Sequence, residues 1–299
     1  MPKRTHPLKI ATWNVNGIRA RQAQVEQWLA AERPDIVCLQ EIKASQDQVP
    51  AALCEMEGYW CYWHGDKGYS GVGLHVSKAL SPEPPAFEHP AFDYENRMVI
   101  VKLPSVSVAS VYVPNGGKDF DAKMRFLAAL EQFVADQREG TAPLVVCGDL
   151  NIARTDMDVH PKERKPSIIG QLPSEREQLE RIIGHGLVDV GRALEPDDDQ
   201  MFTWWPPWRN MRQRNIGWRL DYVLASEDLA SRAVSAPSQR EIGTSDHAPV
   251  IAEFSVPVPV RVDDRALEHQ EEPDRTTTRR QPSLFLSAFA SFAGLRCRA

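Results

Sequence analysis

Short runs of hydrophobic residues recur along the chain, and helical stripes separate some of them. The runs are rich in valine, isoleucine and leucine and are bounded by glycine, proline, asparagine or aspartate, which is typical of β-strands. They predict strands over residues 9–13, 36–40, 71–76, 98–103, 106–113, 144–147, 220–224 and 250–254. Several of these strands follow one another without a helix between them. The pattern therefore favours an α/β (α+β) fold with mixed or antiparallel sheets over a repeated βαβ unit.

Three segments carry hydrophobic residues at the spacing of a helix. They predict helices around residues 18–29, 124–134 and 174–184. Ser174 and Glu177 stand three residues apart before the apolar stripe of the third segment, as in a capping box that starts a helix. The glycines that follow this stripe are expected to end the helix.

The character of the sequence divides the chain into three parts. Residues 1–7 form a short basic arm, and residues 8–256 have the pattern of one continuous globular body. Residues 257–299 begin with a stretch rich in proline and charge, which predicts a flexible linker, and end in an apolar tail. The tail is too short to cross a bilayer, and no run of about 18 apolar residues occurs elsewhere. We therefore expect no membrane segment.

Composition and charge narrow the class of protein. The 299 residues are 42% hydrophobic and 25% charged, which excludes a disordered, fibrous or polytopic membrane protein. The net charge of −6 argues against nonspecific, charge-driven coating of nucleic acid but leaves DNA open as a substrate. The five cysteines form no CxxC pair, and no apolar signal segment follows the N-terminus. We expect reduced thiols and a cytoplasmic location.

Polar side chains follow several of the predicted strands at the point where each strand ends. Asn14 follows the first strand, Glu41 follows the second, and Asp149 and Asn151 follow the strand at 144–147. Residues two apart in extended chain share a face, so the last two side chains point together. The sequence thus predicts that these strand ends form one polar edge of a sheet.

Two further segments reach the same edge if their strands run antiparallel to the others. Asp246 and His247 precede the strand at 250–254, and Asp221 stands early in the strand at 220–224. Carboxylates crowded in this way repel one another unless a cation or a proton intervenes. Oxygen-rich ligand sets suit Mg²⁺ or Mn²⁺, and the chain has no HExxH motif that would favour zinc. A hard cation beside a His–Asp pair suits phosphoryl chemistry.

Each of these residues taken alone has a simpler explanation. An aspartate at a strand end, such as Asp149, is often a helix cap or a turn residue. Glu41 alone fits a solvated charge, and Asp246 and His247 fit a structural turn. The joint pattern is what favours a catalytic site.

Seven motifs, in their order along the chain, resemble those of the exonuclease III class of apurinic/apyrimidinic (AP) endonucleases of bacterial type. The resemblance extends over residues 8–256. The motifs are Thr12-Trp-Asn-Val-Asn-Gly17, Leu39-Gln-Glu-Ile-Lys43, Gly68-Tyr-Ser-Gly-Val-Gly73, Val111-Tyr-Val-Pro-Asn115, Gly148-Asp-Leu-Asn151, Gly217-Trp-Arg-Leu-Asp-Tyr222 and Ser245-Asp-His-Ala-Pro249. The resemblance implies a deoxyribonuclease I-like four-layer sandwich, with two packed mixed β-sheets flanked by helices.

The resemblance also implies an activity and a substrate. The expected reaction is metal-dependent hydrolysis of the phosphodiester 5′ to an abasic site in double-stranded DNA. Removal of blocked 3′ ends and 3′→5′ exonuclease activity are expected too. Mg²⁺ is the implied cofactor, with Mn²⁺ as a substitute, and we expect a monomer.

By the same resemblance each matching residue takes a role. Glu41 is the main metal ligand, and the expected metal-binding set is Asn14, Glu41, Asp149, Asn151, Asp246 and His247. Asp149 orients or deprotonates the attacking water, and Asn151 supports it. His247 contacts the scissile phosphate, Asp221 orients His247, and Tyr112 contacts the phosphate or stabilises the leaving group. Asn16 stands where some relatives have aspartate, which bears on how many cations bind.

The stretch from residue 200 to 220 is the predicted DNA-binding segment. It holds four tryptophans and four arginines and no acidic residue, a composition that suits phosphates and unstacked bases. The simpler interpretation is that the tryptophans lie in the core beside a solvated charged loop. We expect this core position for Trp205. The resemblance implies that Trp204, Trp218 and Leu220 line the pocket for a flipped-out abasic sugar. It also implies that Arg97 and Lys118 contact the DNA backbone.

The tail contains the segment Gln281-Pro-Ser-Leu-Phe285. This segment resembles the short peptide by which bacterial DNA enzymes dock on the sliding clamp. A terminal helix that packs on the body, or a disordered end, is the favoured alternative.

Two other functions compete with the repair nuclease. The first is a phosphodiesterase of the same fold that acts on another phosphate ester, such as a lipid or inositol phosphate. The tryptophan- and arginine-rich segment argues against it. The second is a catalytically silent DNA-binding protein, which should have lost at least one of Glu41, Asp149, Asn151 or His247, and all four are present.

Overall fold

The computed structural model describes residues 5–137, 140 and 142–259. The first residues of the expected basic arm and the tail segment 281–285 lie outside this part of the chain. The strands are β1 (Thr5–Asn14), β2 (Ile36–Gln40), β3 (Tyr59–Asp66), β4 (Tyr69–Ser77), β5 (Phe87–Glu88), β6 (Met98–Lys102), β7 (Ser107–Tyr112), β8 (Leu144–Asp149), β9 (Leu187–Asp189), β10 (Asp221–Ser226), β11 (Ala233–Ser235) and β12 (Val250–Pro259). The α-helices are α1 (Ile18–Glu32), α2 (Ala51–Cys54), α3 (Phe120–Gln137), α4 (Pro173–Gly184), α5 (Val190–Leu194) and α6 (Glu227–Ala230).

Within the described residues the strands form two six-stranded sheets. The first sheet has the order β11-β12-β1-β2-β4-β3, and the second has the order β5-β6-β7-β8-β10-β9. The pairs β1–β2 and β7–β8 are parallel, whereas the other named neighbours are antiparallel. Both sheets are therefore mixed.

Alternation along each strand sends successive side chains to different layers. Ile10 of β1 and Cys147 of β8 lie in the core between the two sheets. Ala11 of β1 faces the helix α1, and Val146 of β8 faces the helices α3 and α4. The chain thus forms four layers, with helices outside two sheets, and the predicted sandwich is confirmed.

The sheet registers bring the polar strand ends together. Asn14 is level with Gln40, which precedes Glu41, because β1 and β2 are parallel. Asp149 is level with Tyr112 in the neighbouring strand β7 and with Asp221 in the antiparallel strand β10. The strand β12 is antiparallel to β1, so the residues before it reach the same edge. The predicted convergence is confirmed.

The structure differs from the sequence predictions in local detail. The predicted capping box at Ser174 is wrong, because α4 already begins at Pro173. Glu175 accepts hydrogen bonds from the backbone N–H groups of Gly170 and Leu172 instead. The strands β5, β9 and β11 have only two or three residues, too few to show a periodic pattern. The aromatic-rich strand β3 was also not predicted.

The ends of the body run slightly beyond their expected limits. The strand β1 begins at Thr5 and pairs with β12 as far as Pro259, so the sheet includes a few residues of the expected arm and linker. The division of the chain into arm, body and tail stays a prediction. In the described part of the chain, no helix is both long and apolar enough to span a membrane.

Candidate active site

Asp149, Asp221 and His247 form the centre of the polar edge, and all three are buried. His247 Nδ1 lies 2.8 Å from Asp221 Oδ2, and His247 Nε2 lies 3.7 Å from Asp149 Oδ2. The imidazole is therefore held between two carboxylates. The strands β8 and β10 supply both aspartates at paired positions, and the turn before β12 supplies the histidine.

Two asparagines hold the Asp149 carboxylate in place. Asn14 Nδ2 donates to Asp149 Oδ2 at 2.9 Å. Asn151 donates from its backbone N–H to Asp149 Oδ1 at 2.9 Å and from Nδ2 to Oδ2 at 3.1 Å. The backbone of Asn151 is left-handed, with φ of 52°, a conformation that asparagine tolerates better than most residues. The Asp149 carboxylate is thus oriented by three donors.

Burial and charge shift the ionisation of this cluster. Burial raises the pKa of Asp149 against the attraction of His247, and the neighbouring Asp221 carboxylate adds to the rise. Burial alone would lower the pKa of His247, but the carboxylates of Asp221 and Asp149 outweigh it and raise that pKa. His247 is therefore a buried cation at neutral pH. One oxygen of Asp221, Oδ1, is buried without a hydrogen-bond partner among the described residues.

Asp246 lies beside the centre and is held by two donors. Asn16 Nδ2 donates to Asp246 Oδ1 at 2.7 Å, and Trp204 Nε1 donates to Asp246 Oδ2 at 3.0 Å. Burial acts to raise the pKa of Asp246, but His247 and these hydrogen bonds outweigh it and lower the pKa. Asp246 is therefore a carboxylate at neutral pH.

Glu41 is joined to Asp246 through Lys43 and Asn16. Lys43 Nζ lies 2.9 Å from Glu41 Oε1 and donates to Asn16 Oδ1 at 2.6 Å. Asn16 also donates from its backbone N–H to the side chain of Asn14. Lys43 lies in one of the matching motifs, yet no pattern in that motif predicts its position against Glu41.

Tyr112 lies close to both Glu41 and Asp149. Burial raises the pKa of the Tyr112 phenol well above its usual value, and these two carboxylates raise it further. The Arg97 guanidinium lies 4.9 Å from the centroid of the Tyr112 ring, and its Nη2 donates to Glu95 Oε2 at 2.7 Å. Tyr112 is therefore a neutral hydroxyl donor. Arg97 is buried with its guanidinium against protein groups, so its contact with DNA stays a prediction.

Behind Asn151 lies a buried lysine that was not among the predicted site residues. Lys123 of α3 donates from Nζ to the backbone oxygens of Asn151 at 2.8 Å and Asn115 at 3.2 Å. The same Nζ lies 2.5 Å from Glu175 Oε1, and both side chains of this ion pair are fully buried. Lys123 occupies the apolar stripe of its helix, three and four residues before Phe126 and Leu127, and this position was the available signal.

The predicted sugar pocket lies next to the carboxylates. The rings of Trp204 and Trp218 meet edge to face, with centroids 5.5 Å apart, and Leu220 packs in the same cluster. Trp205 is buried in a separate core cluster, as expected, whereas Trp208 is 56% exposed. Lys118 is exposed in the loop between β7 and α3.

The donor set at this edge fits a divalent cation. Asp149, Asp221 and His247 each offer a ligand atom, and these atoms lie within 4.8 Å of one another. The unpartnered Asp221 oxygen and the raised pKa of Asp149 indicate negative charge that the protein alone leaves uncompensated. Glu41 and Asp246 are two further predicted ligands. Lys43 and Asn16 connect them, because Lys43 contacts Glu41 and Asn16 donates to Asp246.

The chain belongs to the endonuclease/exonuclease/phosphatase family, which it matches over residues 11–247. An exodeoxyribonuclease of Bacillus subtilis is 34% identical over 259 residues, which cover 81% of this chain and 98% of that protein. Recombination repair protein 1 of Drosophila melanogaster is 33% identical over 83% of this chain, but the match spans only 37% of that longer protein.

Solved structures show the same similarity. The 3′ phosphatase NExo from Neisseria, solved with a product DNA hairpin, matches with a TM-score of 0.76 and 35% identity, over 83% of this chain and all of that one. An AP endonuclease from Archaeoglobus fulgidus matches with a TM-score of 0.76 and 30% identity over the same shares. The resemblance to exonuclease III and AP endonucleases is confirmed.

Proposed function

We propose that this protein is a divalent-metal-dependent DNA repair nuclease. It hydrolyses the phosphodiester 5′ to an abasic site, removes blocking groups from 3′ ends and degrades DNA from the 3′ end. The observation that carries this proposal is the buried Asp149–His247–Asp221 cluster beside the pocket of Trp204 and Trp218. The relatives named as exodeoxyribonuclease, 3′ phosphatase and AP endonuclease support the same chemistry.

Asp149 is the residue that we assign to the attacking water. Three donors fix its carboxylate, and its raised pKa makes it a stronger proton acceptor than an exposed aspartate. Asn151, held by Lys123 from behind, supports the same water. General-base catalysis of this kind typically contributes about 10²–10⁴-fold to the rate.

His247 and Tyr112 are assigned to the phosphate. His247 is cationic because Asp221 holds its Nδ1, so its Nε2 can donate to a phosphate oxygen as negative charge develops. Tyr112 keeps its proton because of its raised pKa and can donate to the phosphate or to the leaving oxygen. Asp221 is a positioning residue for His247.

The metal-binding set we propose follows the one predicted from the sequence, with Glu41 as the main ligand and Asp246 as the second carboxylate. Mg²⁺, which Mn²⁺ can replace, would polarise the phosphate and stabilise the leaving oxygen when bound. Asn14, Asp149 and Asn151 complete the set, since their side chains face the same edge. The predicted set also contains His247, which we assign to the phosphate instead, because a protonated imidazole has no lone pair for an ion.

Double-stranded DNA with an abasic site or a blocked 3′ end is the proposed substrate. Trp204, Trp218 and Leu220 would enclose the extruded sugar, because their apolar side chains cluster beside Asp246 and His247. Lys118 and Arg97 are the proposed backbone contacts. The monomeric state and the cytoplasmic location stay proposals, and the sliding-clamp segment lies outside the described residues.

The test is cleavage of a labelled duplex that carries one tetrahydrofuran abasic analogue. We expect one nick 5′ to the analogue in Mg²⁺, no nick in an intact duplex and no reaction in EDTA. A second duplex with a 3′-phosphate should lose that phosphate. Hydrolysis of inositol phosphates without any nicking would contradict the proposal and support the phosphodiesterase of the same fold.

A further inference from the structure

A second cluster of metal-ligating side chains lies where the edges of the two sheets meet. His64 lies in β3, the edge strand of the first sheet, and His89 directly follows β5, the edge strand of the second. Their imidazole rings are stacked, with centroids 3.7 Å apart. Asp93, in the loop before β6, lies with its Oδ2 2.6 Å from His64 Nε2. No residue of this cluster belongs to the site described above.

The two oxygens of Asp93 have different partners, one in the backbone and one in the cluster. Asp93 Oδ1 accepts hydrogen bonds from the backbone N–H groups of Arg97 at 2.8 Å and Met98 at 3.2 Å. These bonds fix the carboxylate and direct Oδ2 toward His64. Carboxylates that ligate metals are typically held in this way by hydrogen bonds behind the ligand atom.

His89 shows the matching arrangement. Its Nδ1 lies 3.2 Å from the backbone oxygen of Met98, so a proton on Nδ1 is satisfied by that carbonyl. The lone pair then lies on Nε2, which is 2.7 Å from the hydroxyl of Tyr62. A backbone carbonyl that fixes the tautomer is the usual partner of a metal-bound histidine. His89 is exposed, which gives an ion a path from solvent.

We propose that His64, His89 and Asp93 form a binding site for a transition-metal ion of borderline softness, such as Zn²⁺. One ligand atom from each residue lies within 4.8 Å of the others. Zinc bonds of about 2.0–2.2 Å in a tetrahedral site place ligand atoms about 3.3 Å apart. The ion would take the place of the proton between His64 Nε2 and Asp93 Oδ2, and the stacked rings would turn so that both Nε2 atoms point at it. Water or the Tyr62 hydroxyl supplies the fourth ligand.

The donor chemistry separates this site from the polar edge. Two imidazoles and one carboxylate favour Zn²⁺, Ni²⁺ or Cu²⁺ over Mg²⁺, which prefers oxygen ligands. An ion at this position would join β3 to the loop before β6, because its ligands come from both. Asp93 holds the backbone of Arg97, whose guanidinium lies against the Tyr112 ring. A bound ion would therefore stabilise the segment that holds Arg97 against the Tyr112 ring.

The simpler alternative is that the stacked rings and the His64–Asp93 contact only fasten two loops together. That reading predicts that removal of His89 leaves metal binding unchanged. The metal proposal predicts one zinc site that depends on both histidines. Binding and stability measurements distinguish the two without any use of nuclease activity.

The experiment is a calorimetric Zn²⁺ titration of the full chain in excess Mg²⁺. The variants are His89→Ala and His64→Gln, and the matched control is His185→Ala, which changes a part-exposed histidine that pairs with Glu131 elsewhere. We expect one zinc site in the wild type and the control, weakened at least about tenfold in both site variants. Zinc should also raise the melting temperature of the wild type and the control more than that of His89→Ala.

Zinc bound at the polar edge would give a different pattern, since zinc binding would be retained in His89→Ala and lost in Asp149→Asn. Equal zinc affinity in the wild type and His89→Ala would overturn the proposal. So would the absence of any zinc binding in the wild type. If His64→Gln fails to fold, the exposed His89 position still decides the outcome, because its side chain contributes little to the core.

Discussion

Two clusters of buried charge lie on either side of Leu220 in the chain, and they differ in how far their carboxylates are paired with cations. Arg219 belongs to an ion-pair network in which its Nε lies 2.7 Å from Asp158 Oδ1 and its Nη2 lies 2.6 Å from Asp189 Oδ2. Arg192 adds a further contact to Asp158 at 2.8 Å. Asp221, one residue beyond Leu220, belongs to the polar edge, where the carboxylates outnumber the cations.

The ionisation of the two clusters reflects this difference. Burial acts to raise the pKa of Asp158, but Arg219 and Arg192 outweigh it and lower the pKa to about 2. Burial also raises the pKa of Asp149, and there the single His247 does not reverse the effect. In a matched network each buried charge has its partner, whereas an unmatched cluster leaves buried charge that costs stability unless something else binds. This contrast is the physical reason to locate function at the second cluster.

The largest expected effect is that of Asp149→Asn. The loss of the proposed base should lower the rate of nicking at an abasic analogue on the order of 10³-fold. The metal-free fold should be at least as stable as the wild type, because a carboxylate with a raised pKa is removed from a buried site. Single-turnover nicking and urea unfolding measure the two effects.

A matched control for this variant is Asp228→Asn, since Asp228 is exposed on α6. This variant should change neither the rate of nicking nor the stability to urea. A strongly destabilised but active Asp149→Asn protein would contradict the assignment of Asp149 to catalysis.

Next in size is the loss of Arg219. Arg219→Met leaves Asp158 and Asp189 as buried carboxylates without their main partner, so the free energy of unfolding should fall by about 3 kcal/mol or more. Urea unfolding at neutral pH measures it. A stability equal to that of the wild type would show that the ion-pair network is not structural.

Acid should affect the two clusters in opposite directions. The low pKa of Asp158, against an ordinary value of 3.8, contributes about 2 kcal/mol that is present above pH 4 and lost as the pH falls toward 2. For Asp149 the raised pKa means that its carboxylate costs stability at high pH and that protonation relieves the cost. Urea midpoints between pH 2 and pH 7 for the wild type and Asp158→Asn measure the first effect. An equal loss of stability in both proteins as the pH falls from 4 toward 2 would contradict it.

The smallest effect concerns the support behind the polar edge. Lys123→Met with Glu175→Gln removes a buried ion pair together with its hydrogen bonds to the Asn151 and Asn115 backbone. We expect kcat to fall about tenfold with little change in KM, because Asn151 is displaced while the DNA contacts remain. Steady-state kinetics on the abasic duplex measures both. A rise in KM alone would show that Lys123 acts on substrate binding instead.

The sequence predicted the side chains of the polar edge better than the lysines that hold them in place. Asn14, Asp149 and Asp221 could be placed together because strand alternation and the direction of the strands decide where their side chains point. Lys43 and Lys123 could not, since a lysine reaches its partner through a long side chain whose direction no periodicity records. The longer strands other than β3 were predicted because their apolar runs are long enough to recognise. The strands β5 and β9 were not predicted, because two or three residues are too few to show a period.

The central claim is that the polar edge, where carboxylates outnumber cations, holds the divalent cation on which cleavage depends. Calorimetric Mg²⁺ titration of the full chain, with Glu41→Gln and Asp189→Asn beside the wild type, tests it most directly. We predict Mg²⁺ binding and Mg²⁺-dependent nicking in the wild type, weakened in Glu41→Gln and retained in Asp189→Asn, which alters the ion-pair network and the N-cap of α5 but not the polar edge. Nicking at an undiminished rate in EDTA, or equal Mg²⁺ affinity in the wild type and Glu41→Gln, would contradict the claim.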